Sequence, residues 1–206
     1  MTHPGTLPPR AALSGLVSGL FLMTFFTVGW VGNTFAAWPA ALAWTVLALA
    51  LVAAAIFVST AIRLIRSRAL FPAGLSDADW HQQRTTGRSF GFVFGAEIAA
   101  IWIAVIVLNA TGNQDFAVPV IALIVGVHFY PMARIFHRTV DLYLATWTVL
   151  VAVAGIVVLA ATDAPADQVA ALVAVGVAAC TATYGGYMTW LARNWLARAT
   201  SPGRQP

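Results

Sequence analysis

Six stretches at 12–34, 40–62, 89–110, 117–136, 142–162 and 168–191 are long, apolar and nearly free of charge. Each has about the twenty residues that a helix needs to cross a hydrocarbon core of roughly 30 Å. Backbone groups inside lipid must find their partners within the segment, so such runs fold as helices. The whole chain is 60% hydrophobic and 9% charged, with mean hydropathy +0.83, against about 45–50% apolar and about 25% charged in soluble domains. A soluble fold is excluded. The predicted fold is all-α: a polytopic transmembrane helical bundle of six spans over 12–192, with tails at 1–11 and 193–206. A leader cleaved after Thr34-Phe35-Ala36 would leave five spans, but the first run is longer than the 7–15 residues usual in a signal peptide.

Charge placement predicts the orientation. All eleven basic residues are arginine, a usage that points, with the abundance of Ala, Val and Leu, to a GC-rich bacterial genome. They fall at Arg10, in the second connection at Arg63, Arg66, Arg68, Arg84 and Arg88, at Arg134 and Arg138, and in the tail at Arg193, Arg198 and Arg204. The first, third and fifth connections carry none. Basic residues near span ends stay in the cytoplasm, which puts both termini inside and three hairpins outside, as expected of a multi-pass protein of the cell membrane. The dispersal of these arginines between spans also argues against nucleic acid as a partner, despite a pI near 10.0.

The linker 63–88 is the longest polar segment. Pro72-Ala73-Gly74 reads as a turn, and Ser76-Asp77-Ala78-Asp79 as the capped start of a short helix through Arg84, with Trp80 at headgroup level. Its arginines are first of all topology determinants. Arg63, Arg66, Arg68, Arg84 and Arg88 also have the spacing of an anionic-lipid contact. Trp30, Trp38, Trp190 and Trp195 read as interface anchors. Gly15 and Gly19, and again Gly91 and Gly95, form G-x-x-x-G strips on which a second backbone can approach, from this chain or from another copy in a homo-oligomer.

Polar side chains inside the spans are expensive and tend to face the bundle interior. Glu97 lies about 13 Å along its helix from Arg88, and His128 about 9 Å from Arg134, so both fall at similar depth on the arginine side, on neighbouring antiparallel spans. A hydrogen bond between them is expected. Pro131 removes a backbone donor next to His128 and is expected to kink the helix and free the Val127 carbonyl. In the last span Cys180, Thr181, Tyr184, Tyr187 and Met188 share a face. Ser18, Thr146 and Tyr184 complete a candidate intramembrane cluster with Glu97 and His128, along with Thr148 on the same span as Thr146. The alternative reading is a set of interhelical hydrogen bonds that only hold the bundle.

Several chemistries are excluded. A bis-histidine haem needs two buried histidines, whereas His3, His81 and His137 lie outside the spans. One His, one Glu and the lone Cys180 have no zinc-ligand spacing, so no metal or cofactor is expected. No G-x-S-x-G elbow surrounds Ser18, and there is no P-loop. Asp115, Asp163 and Asp167 read as solvated loop acids.

The segment Gly126-Val127-His128-Phe129-Tyr130-Pro131-Met132-Ala133, with Gly95-Ala96-Glu97, resembles small multi-span bacterial membrane proteins that carry a G-x-H-F-x-P-[LM]-A segment. The resemblance covers about a fifth of the chain, in spans three and four, and implies a membrane location and a polar element in the fourth span, but no substrate. Two function classes follow. One is permeation of a small solute, ion or proton through the polar pair. The other is a non-catalytic membrane subunit that binds partner helices or lipid. An intramembrane enzyme ranks behind both.

Overall fold

The computed structural model describes residues 7–73 and 77–201, with the backbone alone for 77–83. Among these residues every regular element is helical, and six helices are long and apolar enough to cross a membrane. They are α1 (Arg10–Val31), α2 (Ala40–Arg66), α3 (Asp77–Ala110), α4 (Ala117–Phe136), α5 (Thr139–Ala161) and α6 (Ala166–Thr200).

Proline and left-handed residues set the boundaries. Pro9, Pro39 and Pro165 stand directly before α1, α2 and α6. At that position the missing N–H is no loss and the fixed φ leads into the helix. Gly112 ends α3 at φ +72°, and Asn113 N–H closes back on the Leu108 carbonyl, a Schellman-type stop. His137 ends α4 in the same way at φ +52°, with Arg138 N–H on the Ala133 carbonyl. A side chain there costs about 1–2 kcal/mol, which the surrounding packing must offset.

The helices reach beyond the apolar runs. The short linker helix expected from Asp77 is continuous with the third span, since nothing in 77–88 breaks the helix. The tail from Arg193 to Thr200 likewise continues α6. Gly74 and Ser76, and with them part of the expected turn and cap, lie outside the described residues, as does the Trp80 side chain.

α6 is the central helix. It packs against α1, α2, α4 and α5, and 56% of its apolar stretch is buried, against 6% for α3. Its small residues explain the difference, because the Phe57 ring lies on Gly185 and Val151 on Gly176. Close backbone approach of this kind is how helices associate where no water is expelled. α3 is peripheral and packs chiefly on α4. After α2 the chain folds back so that Phe71, 2% exposed, enters the core beside Leu13 and Leu64. Arg10 fastens this return, donating Nε–H to the Phe71 carbonyl at 2.9 Å and its backbone N–H to that of Pro72 at 3.1 Å.

Candidate functional site

Glu97 lies midway along the stretch Arg84–Ala110 of α3, on the side that meets α4, and is 7% exposed. His128 lies one turn before Pro131 on α4. Its Nδ1 is 3.2 Å from Glu97 Oε1 and 2.7 Å from the carbonyl oxygen of Val125. Separation this short from a carbonyl requires a hydrogen on Nδ1, since two lone pairs would repel. That hydrogen is committed to Val125, so the 3.2 Å approach to Glu97 is a close contact in place of the expected hydrogen bond. The carbonyl that the imidazole uses is that of Val125, three residues earlier on α4.

Beside Glu97 a cavity of about 220 Å³ opens between α1, α3 and α4. Phe25, Phe26 and Trp30 of α1 and Phe94 and Ile101 of α3 line it, and Glu97 is the ionisable side chain on its wall. Trp30 is thus a wall of this cavity and packs on the interior, whereas Trp190 is 59% exposed on the outer face of α6.

The other members of the expected cluster are elsewhere. Ser18 is exposed on α1. Thr146 is also exposed, donating to the Leu142 carbonyl at 2.9 Å and sharing a 3.2 Å hydrogen bond with the Tyr130 hydroxyl. The reason is rotational: Thr148, two residues on, takes the inward position with no exposure and donates to Cys180 Sγ at 3.1 Å. The inward face of α6 divides between neighbours. Thr181 shares a 2.9 Å hydrogen bond with Thr27 of α1, and Met188 packs where Gly19 leaves room. Tyr184 is separated from His128 by the Phe129 ring, which meets Tyr184 edge-on at 6.0 Å and stands 4.4 Å from the imidazole.

Tyr184 belongs to a second polar group that the sequence did not suggest. Arg138 Nη1 donates to its hydroxyl at 3.4 Å. Asp141, in the first turn of α5 and wholly buried, stands beside both. Neither carboxylate oxygen makes a hydrogen bond of good geometry among the described residues. The readable signal was Arg138 three residues before Asp141 at a span boundary, one helical turn apart.

Of the glycine strips, only Gly19 meets another helix. A Cβ at Gly15, Gly91 or Gly95 would touch nothing within 4 Å. Asp115, Asp163 and Asp167 are exposed in or beside turns. No group of three metal-ligating side chains is found among the described residues. Comparison of the chain with protein-family models, with curated proteins and with solved structures finds no match.

Proposed function

We propose that this chain is a bacterial cell-membrane protein that passes a small solute, ion or proton through the bilayer by way of Glu97 and His128. One observation carries the reading. A glutamate is buried within a span, in contact with an imidazole, and an apolar cavity opens beside it. A carboxylate kept only for structure would be expected to have its hydrogen bonds satisfied by neighbouring helices. Both termini and the arginine-bearing connections are cytoplasmic in this reading, with three hairpins outward. Two contacts support that arrangement. Arg10 at the start of α1 meets the turn after α2, and Gln168 at the start of α6 donates to Ala37 in the turn after α1. Reconstituted into proteoliposomes, the wild type should show pH-dependent flux, and Glu97→Gln, which keeps shape but not titration, should lose it. Flux unchanged in Glu97→Gln would reject the reading.

The second reading, a non-catalytic subunit in a homo-oligomer or a larger assembly, is favoured by the open Gly91–Gly95 strip on the peripheral helix α3. It also gives a role to the exposed Arg63, Arg66, Arg68, Arg84 and Arg88, as an anionic-lipid contact. Loss of binding to anionic vesicles in Arg84→Gln/Arg88→Gln, at unchanged topology, would support it.

A further inference from the structure

The wall of the cavity beside Glu97 has a narrower chemistry than permeation in general requires. Phe25, Phe26, Trp30 and Phe94 converge on it with one carboxylate. Aromatic faces carry partial negative charge and attract ammonium groups, all the more where water is excluded. No arginine or histidine lines the cavity among the described residues. The His128 hydrogen that faces Glu97 is committed to Val125, so the carboxylate is incompletely compensated. An ionised carboxylate at this depth is costly until a positive charge meets it.

Size and access narrow the occupant further. At about 220 Å³ the space exceeds the roughly 150 Å³ apolar cavity that admits benzene. It falls short of the roughly 300 Å³ at which drug-sized pockets begin. Phe25 and Ile98 on its rim are 70% and 42% exposed, on helix surfaces that face lipid, so entry is lateral from the bilayer. Glu97 lies about 13 Å along its helix from Arg88, deeper in the span than a lipid's own choline.

We propose that this cavity binds a small lipophilic ammonium ion. Its charge rests against Glu97, and its hydrocarbon body lies on Phe25, Phe26, Trp30 and Phe94. The proposal rests on the permeation reading and adds a substrate class to it. Proton and ammonium compete for one carboxylate, so binding to the protonated site releases that proton to solvent and leaves the site neutral.

The test uses the full chain in nanodiscs, titrated with benzyltrimethylammonium and with neopentylbenzene, its uncharged carbon isostere. The ammonium should bind saturably, with proton release in weak buffer, and Glu97→Gln should weaken it about tenfold or more. Trp30→Leu keeps the carboxylate and should weaken the ammonium more than the isostere. It decides the matter if Glu97→Gln does not fold. Equal affinity for ammonium and isostere, or ammonium binding unchanged in the variants that fold, would overturn the proposal and leave an apolar groove filled by lipid. Ammonium binding without pH-dependent flux would uphold the site and reject permeation. Flux that depends on pH with no ammonium binding would do the reverse.

Discussion

Glu97 and His128 meet across the α3–α4 interface with the imidazole Nδ1 3.2 Å from the carboxylate, yet the hydrogen on that nitrogen belongs to the Val125 carbonyl 2.7 Å away. The histidine is tied to its own helix and leans on its neighbour. Asparagine places an amide N–H₂ near the Nδ1 position but does not titrate. His128→Asn is therefore expected to melt within a few degrees of wild type in detergent and to keep a pH-dependent flux with a shifted midpoint, because Glu97 still titrates. His128→Leu removes the donor and leaves Glu97 beside hydrocarbon, a loss of about 1–3 kcal/mol. Identical melting of the two variants would show that the imidazole holds nothing together.

Glycines separate by what lies above them. A Cβ at Gly126 would stand 2.9 Å from the Val149 backbone nitrogen, and one at Gly185 would enter the Phe57 ring. Backbone cannot step aside, and Phe57 is 3% exposed in the core. Gly126→Ala and Gly185→Ala should each cost about 1–3 kcal/mol in thermal unfolding. Gly91→Ala and Gly95→Ala meet open space and should fall within about 0.5 kcal/mol of wild type. Should Gly95→Leu dissolve an oligomer without lowering the melting temperature, the strip on α3 belongs to a second copy.

Six apolar helices were legible because the length of an apolar run and the bilayer thickness constrain each other. Glu97 and His128 were legible as neighbours because their depths could be counted from Arg88 and Arg134. What counting cannot give is rotation about the helix axis. Thr146 and Thr148 have the same depth to within one turn, yet one is exposed and the other buried against Cys180. Phe71 is hidden for another reason. It lies in a polar linker whose path back into the core depends on contacts with Arg10, sixty-one residues earlier. Asp141 sits just outside the apolar run at 142–162, and only the tight left-handed turn at His137 brings it inside.

The orientation predicts labelling. Cys180 is 3% exposed, so the native chain gives little background to an impermeant thiol reagent. Cysteines introduced at Asn113 and Ala164, next to the arginine-free turns, should react from outside intact cells. One at Ala69, exposed in the turn after α2, should react only after permeabilisation. Labelling of position 69 from outside would invert the topology, and with it the side from which Glu97 is reached.

Arg138 and Asp141 should behave as a unit. Asp141 is wholly buried with no well-formed hydrogen bond to either oxygen, and the Tyr184 hydroxyl and the Arg138 guanidinium are the polar groups that stand near it, without a direct ion pair among the described residues. Arg138 itself is only half-buried, stacks over Phe136 at 5.2 Å and donates to Tyr184. Removing the arginine strands a carboxylate in the interior, whereas removing the carboxylate leaves an arginine that water can still reach. Arg138→Gln is therefore expected to destabilise by about 1–3 kcal/mol, the cost of leaving a buried polar group less compensated, and Asp141→Asn by less than about 1 kcal/mol. The double variant should recover most of the loss, with a coupling of about 1–3 kcal/mol in a thermal-unfolding cycle. Additive effects would mean that Arg138 acts through Tyr184 and Phe136 alone, and that Asp141 is compensated by something other than this guanidinium.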